Sequence, residues 1–208
     1  MSFKIIKIFA SCVIAALACA ALPQVAPPAP PTVSNVTCST VASGLLSGQN
    51  GEIVGWFFDG LDALNFDTRT TGSINVEFQG CTPNPGGFLN IPGGQISGHV
   101  FLPDFNQCMG VPDDVLLTIS KVNCTTTDDA TQPPITWVFD NGQITWSGIS
   151  TPDGSVIQGG DCGTDGLGQY GYEAAKKPLG TPNLGGQEVK CISSKTAART
   201  FPFILGSA

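Results

Sequence analysis

The chain has 208 residues, a net charge of −7, only 12% charged residues, and 26 Gly and 16 Pro. So many turn formers and so few charges argue against a helical protein and favour short strands joined by tight turns. Between residues 21 and 175 the only basic residues are Arg69 and Lys121, against fifteen acidic ones, so no surface there suits a phosphate backbone and no nucleic-acid partner is expected.

The N-terminus carries Lys4 and Lys7, an apolar run from Ile8 to Ala18 and a small-residue exit, Ala18-Cys19-Ala20. This pattern predicts a secretory signal peptide over residues 1–20. It is too short for a membrane span and no stop-transfer pattern follows, so the product is expected to be secreted and extracellular. Pro23 to Pro31 reads as an extended spacer, giving a Pro-rich linker at 21–32. The folded domain is expected over 33–195, with a sparse basic tail at 196–208.

Six cysteines remain beyond the leader: Cys38, Cys81, Cys108, Cys124, Cys162 and Cys191. An even number behind a signal peptide predicts three disulfides in an oxidising compartment. A Cys38–Cys191 bond would clasp the two ends of the domain, but sequence alone does not settle the pairing. Sequons at Asn35-Val36-Thr37 and Asn123-Cys124-Thr125 mark Asn35 and Asn123 for N-glycosylation.

Strand signals then follow in order. Ile53 to Phe58 ends at Asp59-Gly60. Ser73 to Phe78 alternates, with Ile74, Val76 and Phe78 on one face. His99 to Leu102 stops at Pro103-Asp104, and Val115 to Val122 is a β-branched run. Trp137-Val138-Phe139 and Ile144-Thr145-Trp146 flank Asn141-Gly142, a dipeptide suited to a two-residue type I′ hairpin. Pro152-Asp153-Gly154 is a further turn. Tyr172 to Lys177 allows at most one helical turn before Pro178.

The chain also repeats itself. Gly51-Glu52-Ile53 precedes Cys81 by thirty residues, Gly94-Gln95-Ile96 precedes Cys124 by thirty, and Gly142-Gln143-Ile144 opens a shorter copy leading to Cys162. A period in the forties with β-type sequence predicts an all-β repeat architecture. Three such units closing on one another would remove exposed strand edges.

Cys108-Met109-Gly110-Val111, Cys124 and Ile135-Thr136-Trp137 together resemble one repeat of the ricin B-type β-trefoil lectins. Those repeats carry a Cys-Leu-Asp-Val element, a second cysteine and a Gln-x-Trp element, whose Gln is Ile135 here. The resemblance covers about 45 residues. It implies a single β-trefoil-like domain of three imperfect repeats, a Cys108–Cys124 disulfide, and binding of a glycan or cell-wall polysaccharide without catalysis or cofactor.

The family's sugar-binding Asp corresponds to Gly110 in this copy. Ungapped alignment of the first copy puts Asp67 at that position. A carboxylate there can accept two sugar hydroxyls while an aromatic ring, Trp56 or Phe57, covers the apolar sugar face, with Arg69 as a further donor. The bland reading makes Asp67 a turn residue paired with Arg69, and buries Trp56, Trp137 and Trp146 in the core. Tyr170 and Tyr172, between glycines, are alternative platforms.

Evidence for catalysis is thin. His99 is the only histidine and sits in a strand pattern, which suits packing. With the cysteines oxidised, no zinc or copper set remains. Asp113-Asp114 and Asp128-Asp129 read as solvated turn charges, and Asp161 to Gly166 lacks the ligand alternation of a calcium loop. The rivals to a lectin are a β-trefoil proteinase inhibitor using the loop Thr82 to Ile91, an extracellular wall or matrix glycoprotein without a discrete site, and a small two-carboxylate hydrolase.

Overall fold

The structure, a computed structural model, describes residues 35–49, 51–67, 69–83, 94–112, 116–127, 132–148, 166–173, 186–193 and 199–206. The expected signal peptide and linker, Cys162, and the acidic pairs at 113–114 and 128–129 lie outside them, as does most of the loop proposed for an inhibitor. All regular structure among the described residues is β, apart from a 3-10 turn at Pro133–Ile135. The strands are β1 (Thr37–Ser47), β2 (Trp56–Phe58), β3 (Leu64–Phe66), β4 (Asn75–Thr82), β5 (Ile96–Leu102), β6 (Gln107–Gly110), β7 (Ser120–Val122), β8 (Trp137–Asp140), β9 (Gln143–Trp146), β10 (Gly166–Glu173), β11 (Val189–Ser193), β12 (Thr200–Phe201) and β13 (Phe203–Gly206).

Six strands close a barrel. β1 pairs with β4, β4 with β5, β5 with β8, β8 with β9, β9 with β13, and β13 returns to β1, every pair antiparallel. Closure leaves these strands no free edge. The remaining strands form hairpins β2–β3, β6–β7 and β10–β11, with β12 against β10.

One backbone ring ties the three hairpins together. Leu64 N–H donates to the Ile119 carbonyl (2.8 Å), Ile119 N–H to that of Gln187 (2.8 Å), and Gln187 N–H to that of Leu64 (2.6 Å). Each hairpin therefore satisfies a buried backbone group of the next, and no unit completes its own hydrogen bonding alone.

Alternation built these strands as expected. In β4, Val76 and Phe78 are buried while Asn75 is exposed and Glu77 half-buried. Asn141 and Gly142 join β8 to β9 with φ of 49° and 84°, the left-handed pair that a two-residue hairpin requires. Phe203 of β13 is fully buried and packs on Tyr172 (centroids 4.7 Å apart), Trp56 (5.4 Å) and Trp137 (6.3 Å).

That packing corrects two expectations. The domain does not stop at residue 195: β13 is a barrel stave and its Phe203 fills the core, because Phe203 and Ile204 continue the strand pattern past the charged run. Tyr172 begins no helical turn, since it lies within β10 opposite Val189.

The disulfides divide likewise. Cys108–Cys124 forms, closing the β6–β7 hairpin. Cys38 bonds to Cys81 and not to Cys191, because the two face each other directly across β1 and β4. Cys191 is also disulfide-bonded.

The repeat register differs from the spacing read in sequence. Gly94 precedes β5 and Gly142 precedes β9, both barrel strands, whereas Gly51 follows β1 and leads into hairpin strand β2. All three glycines have positive φ, at 106°, 84° and 79° respectively. The Gly-x-Ile motif thus reports a left-handed turn feeding a strand, and the strand it feeds is a barrel strand in two copies and a hairpin strand in the other.

Candidate ligand-binding surface

Of the three residues singled out for sugar binding, the structure buries Trp56 and pairs Asp67 with Arg69. Trp56 is 2% exposed, and its indole N–H donates to the Glu52 carbonyl inside the core. A ring packed against Phe66, Tyr172 and Phe203 presents no face to a ligand. Tyr170 and Tyr172 are buried as well.

Asp67 follows β3 and closes on Arg69. Its Oδ1 accepts from the Arg69 backbone N–H and Nε, and its Oδ2 from Nε and Nη2. The Arg69 hydrogen bonds hold the Asp67 carboxyl below its ordinary pKa, and Asp67 in turn raises that of Arg69. Four charge-assisted bonds leave this carboxylate little capacity for sugar hydroxyls.

The backbone ring also sets a common register in the three hairpins. Asn65, Ser120 and Glu188 each follow one residue of the hydrogen-bonded ring, and they lie opposite Phe57, Gly110 and Glu173. Phe57, Gly110 and Glu173 therefore hold corresponding places in the three hairpins. Only the third is acidic. Glu173 is ion-paired with Lys190, whose pKa it raises through their hydrogen bond, and Lys190 also reaches Glu188 at 3.5 Å.

A different set of side chains converges at the surface where the β2–β3 and β6–β7 hairpins meet. The β5–β6 connection is a four-residue turn in which the Phe105 N–H donates to the Leu102 carbonyl and Asn106 takes a positive φ. This turn pushes Phe105 outward, leaving it 41% exposed. Its ring meets Phe58 of β2 edge-on at 5.6 Å. The Lys121 ammonium of β7 lies 4.4 Å from the Phe105 centroid and 5.5 Å from that of Phe58.

Lys121 is placed twice over. Its backbone N–H donates to the Asp62 carbonyl, and its Nζ pairs with Asp62 Oδ1 at 2.9 Å. The Lys121 side chain is only 13% exposed, whereas that of Asp62 is 57% exposed. Beside Phe105, Asp104 Oδ2 accepts from Asn75 Nδ2 at 2.9 Å. Leu61 and Leu116, on the β2–β3 and β6–β7 connections, add exposed apolar surface.

The β2–β3 turn is rigid for a local reason. Asp59 accepts from the N–H groups of Leu61 and Ala63 through Oδ1 and from Asn65 Nδ2 through Oδ2. This is the Asx-type chemistry that Asp supplies in turns. The surface therefore offers one part-exposed aromatic ring, with the Lys121–Asp62 ion pair against it and Asp104 next to it in the chain. Lys121, Arg69 and Lys190 are each ion-paired within the protein.

Sequence reasoning passed over Phe105 because Pro103-Asp104 marked only a strand end. The usable signal was a large aromatic placed inside a turn cluster. Asn35 and Asn123 are both exposed, and Asn35 bridges to Thr127, so the two sequons lie on neighbouring backbone. No helix among the described residues is long and apolar enough to cross a membrane. No protein-family model, curated protein or solved structure matches this chain.

Proposed function

We propose that this chain is a secreted, non-catalytic glycan-binding protein of β-trefoil-like fold, with distant kinship to the ricin B-type lectins. Three things support the trefoil reading: the six-stranded barrel, the three hairpins, and the ring through Leu64, Ile119 and Gln187. The Cys108–Cys124 bond supports the kinship, since the resemblance implied that pairing.

The observation that carries the binding reading is Phe105, an exposed ring held in a turn, with Asp104 before it in the chain and the Lys121–Asp62 pair against it. Such a ring can cover the apolar face of a pyranose while carboxylates accept its hydroxyls. The local cations are already neutralised and the chain is acidic, so neutral or amino sugars fit better than sulfated or uronic ones. Asn35 and Asn123 would carry the protein's own N-glycans.

The test is a glycan array together with pull-down on insoluble wall polysaccharides. Phe105→Ala should weaken retention about tenfold or more, equivalent to about 1.4 kcal/mol. Asp67→Ala should leave it unchanged. Loss through Glu173→Gln with Phe105→Ala silent would move binding to the β10–β11 hairpin. A blank array and polysaccharide panel would remove the glycan reading, and inhibition of a protease panel would then favour the inhibitor.

A further inference from the structure

Away from that surface, the molecule holds a second group of chemically capable side chains. Cys38 and Cys81 face each other across β1 and β4, and β5 brings His99 alongside by pairing it with Gln79, two residues before Cys81. The close approach of β5 depends on Gly98, where a Cβ would collide with the Gln79 carbonyl oxygen. The two sulfurs and a His99 ring nitrogen all lie within 4.8 Å of one another.

The hydrogen bonds settle which nitrogen faces the sulfurs. Gln132 Nε2 donates to the Thr125 carbonyl at 2.8 Å, so Gln132 Oε1 faces His99. That oxygen can only accept, so His99 Nε2, at 2.9 Å, carries the proton and donates. Nδ1 therefore keeps its lone pair, which meets Cys38 Sγ at 3.7 Å. His99 is 2% exposed, and burial pushes its pKa below the ordinary value against a smaller opposing effect of Gln132, keeping the ring neutral.

A neutral imidazole with one nitrogen held by an amide oxygen and the other facing a sulfur, here Cys38 Sγ with Cys81 Sγ bonded to it, is how metal-binding histidines are oriented. We propose that Cys38, Cys81 and His99 form a latent site for one thiophilic d10 ion, Cu(I) foremost, which opens when their disulfide is reduced. In the oxidised protein the sulfurs are bonded to each other and the site is closed. A dithiol reductant supplies two electrons and two protons, giving two protein thiols and a cyclic disulfide. Binding Cu(I) then releases two thiol protons, with no electron passing between metal and sulfur.

The ligand set explains the choice of ion. Two thiolates and one imidazole are soft donors suited to Cu(I), whereas structural zinc takes four ligands. Among the described residues this group contains no fourth His, Cys or carboxylate. Cys38 is half-buried between exposed Thr37 and Ser39, which gives a reductant and an ion access from one side.

The experiment reduces the mature protein anaerobically with a phosphine, adds Cu(I) against a chromophoric chelator, and maps protected cysteines by alkylation and mass spectrometry. One equivalent should be retained, with Cys38 and Cys81 protected while Cys108 and Cys124 react. His99→Gln should bring retention down to chelator control. Gln132→Met, which frees the ring and also removes the donor to the Thr125 carbonyl, should weaken it roughly tenfold or more while the near-ultraviolet circular dichroism is kept. The unreduced protein should bind none. Protection of other cysteines, equal binding by His99→Gln, or a reduced chain that loses its near-ultraviolet circular dichroism and binds no better than that variant would each overturn the proposal.

Discussion

Two aromatic clusters in this molecule have opposite fates. Around Phe203, the rings of Trp56, Tyr172 and Trp137 close on one another at the heart of the barrel. Around Phe105, one neighbouring ring and a lysine ammonium support a face that stays partly in water. The first cluster comes from β2, β8, β10 and β13, strands far apart in the chain, so its rings are covered from every side. The second sits where a hairpin turn leaves the barrel and lacks a covering strand. Ring type does not separate core from platform; the number of elements that converge on the ring does.

Mutations at the two clusters should separate stability from binding. Phe203→Ala is expected to lose about 3–5 kcal/mol, since it leaves a large void among rings that cannot collapse; urea unfolding measures it. A loss under 1 kcal/mol would mean that Phe203 is not the shared centre of the core. Replacing Cys108 and Cys124 by serine, which frees the strand leading out of the Phe105 turn, should lower stability by about 3 kcal/mol in the chain-entropy model. Glycan retention should fall with it if the platform depends on a rigid β6–β7 hairpin.

Phe105→Ala should do the reverse of Phe203→Ala. Its cost in stability is expected to be about 0.5–1 kcal/mol, the size of a surface cation–π contact, while glycan retention drops. Equal losses of both would erase the contrast between the clusters.

Acid probes the buried interior through His99. Burial lowers its folded pKa, so the neutral ring is the one the fold accepts. Its contribution is intact above the unfolded value near 6.5 and is lost as pH falls through that value toward the lower folded one. Stability measured between pH 7.5 and 5 should therefore decline, and His99→Gln should flatten that decline. Asp67 has the smallest expected effect. Its pKa is lowered by Arg69, so its contribution is present above the ordinary carboxylate value and fades as pH falls through the lower folded one. Asp67→Asn should leave glycan retention untouched at pH 7, and a loss there would revive the position first read from sequence.

Much of the fold was legible residue by residue. Ile74, Val76 and Phe78 alternate in sequence and lie buried together, and Asn141-Gly142 makes the hairpin it advertises. These are local signals, set by side-chain period and by left-handed φ. The site was not legible, because it depends on register across units. Matching Gly51 to Gly94 paired a hairpin strand with a barrel strand, and the choice of Asp67 rested on that match. Equal cysteine spacing reinforced that match, although Cys81 bonds across β1 and β4 while Cys124 closes the β6–β7 hairpin.

By itself the sequence determined the all-β character, the turn positions, the apolar faces and the oxidised cysteines, because each follows from neighbours a few residues apart. Tertiary structure alone decided that Phe203 belongs to the core and Phe105 to the surface, that Cys38 meets Cys81, and that Leu64, Ile119 and Gln187 share one ring. Those outcomes require strands distant along the chain to meet in one register, which no local pattern encodes.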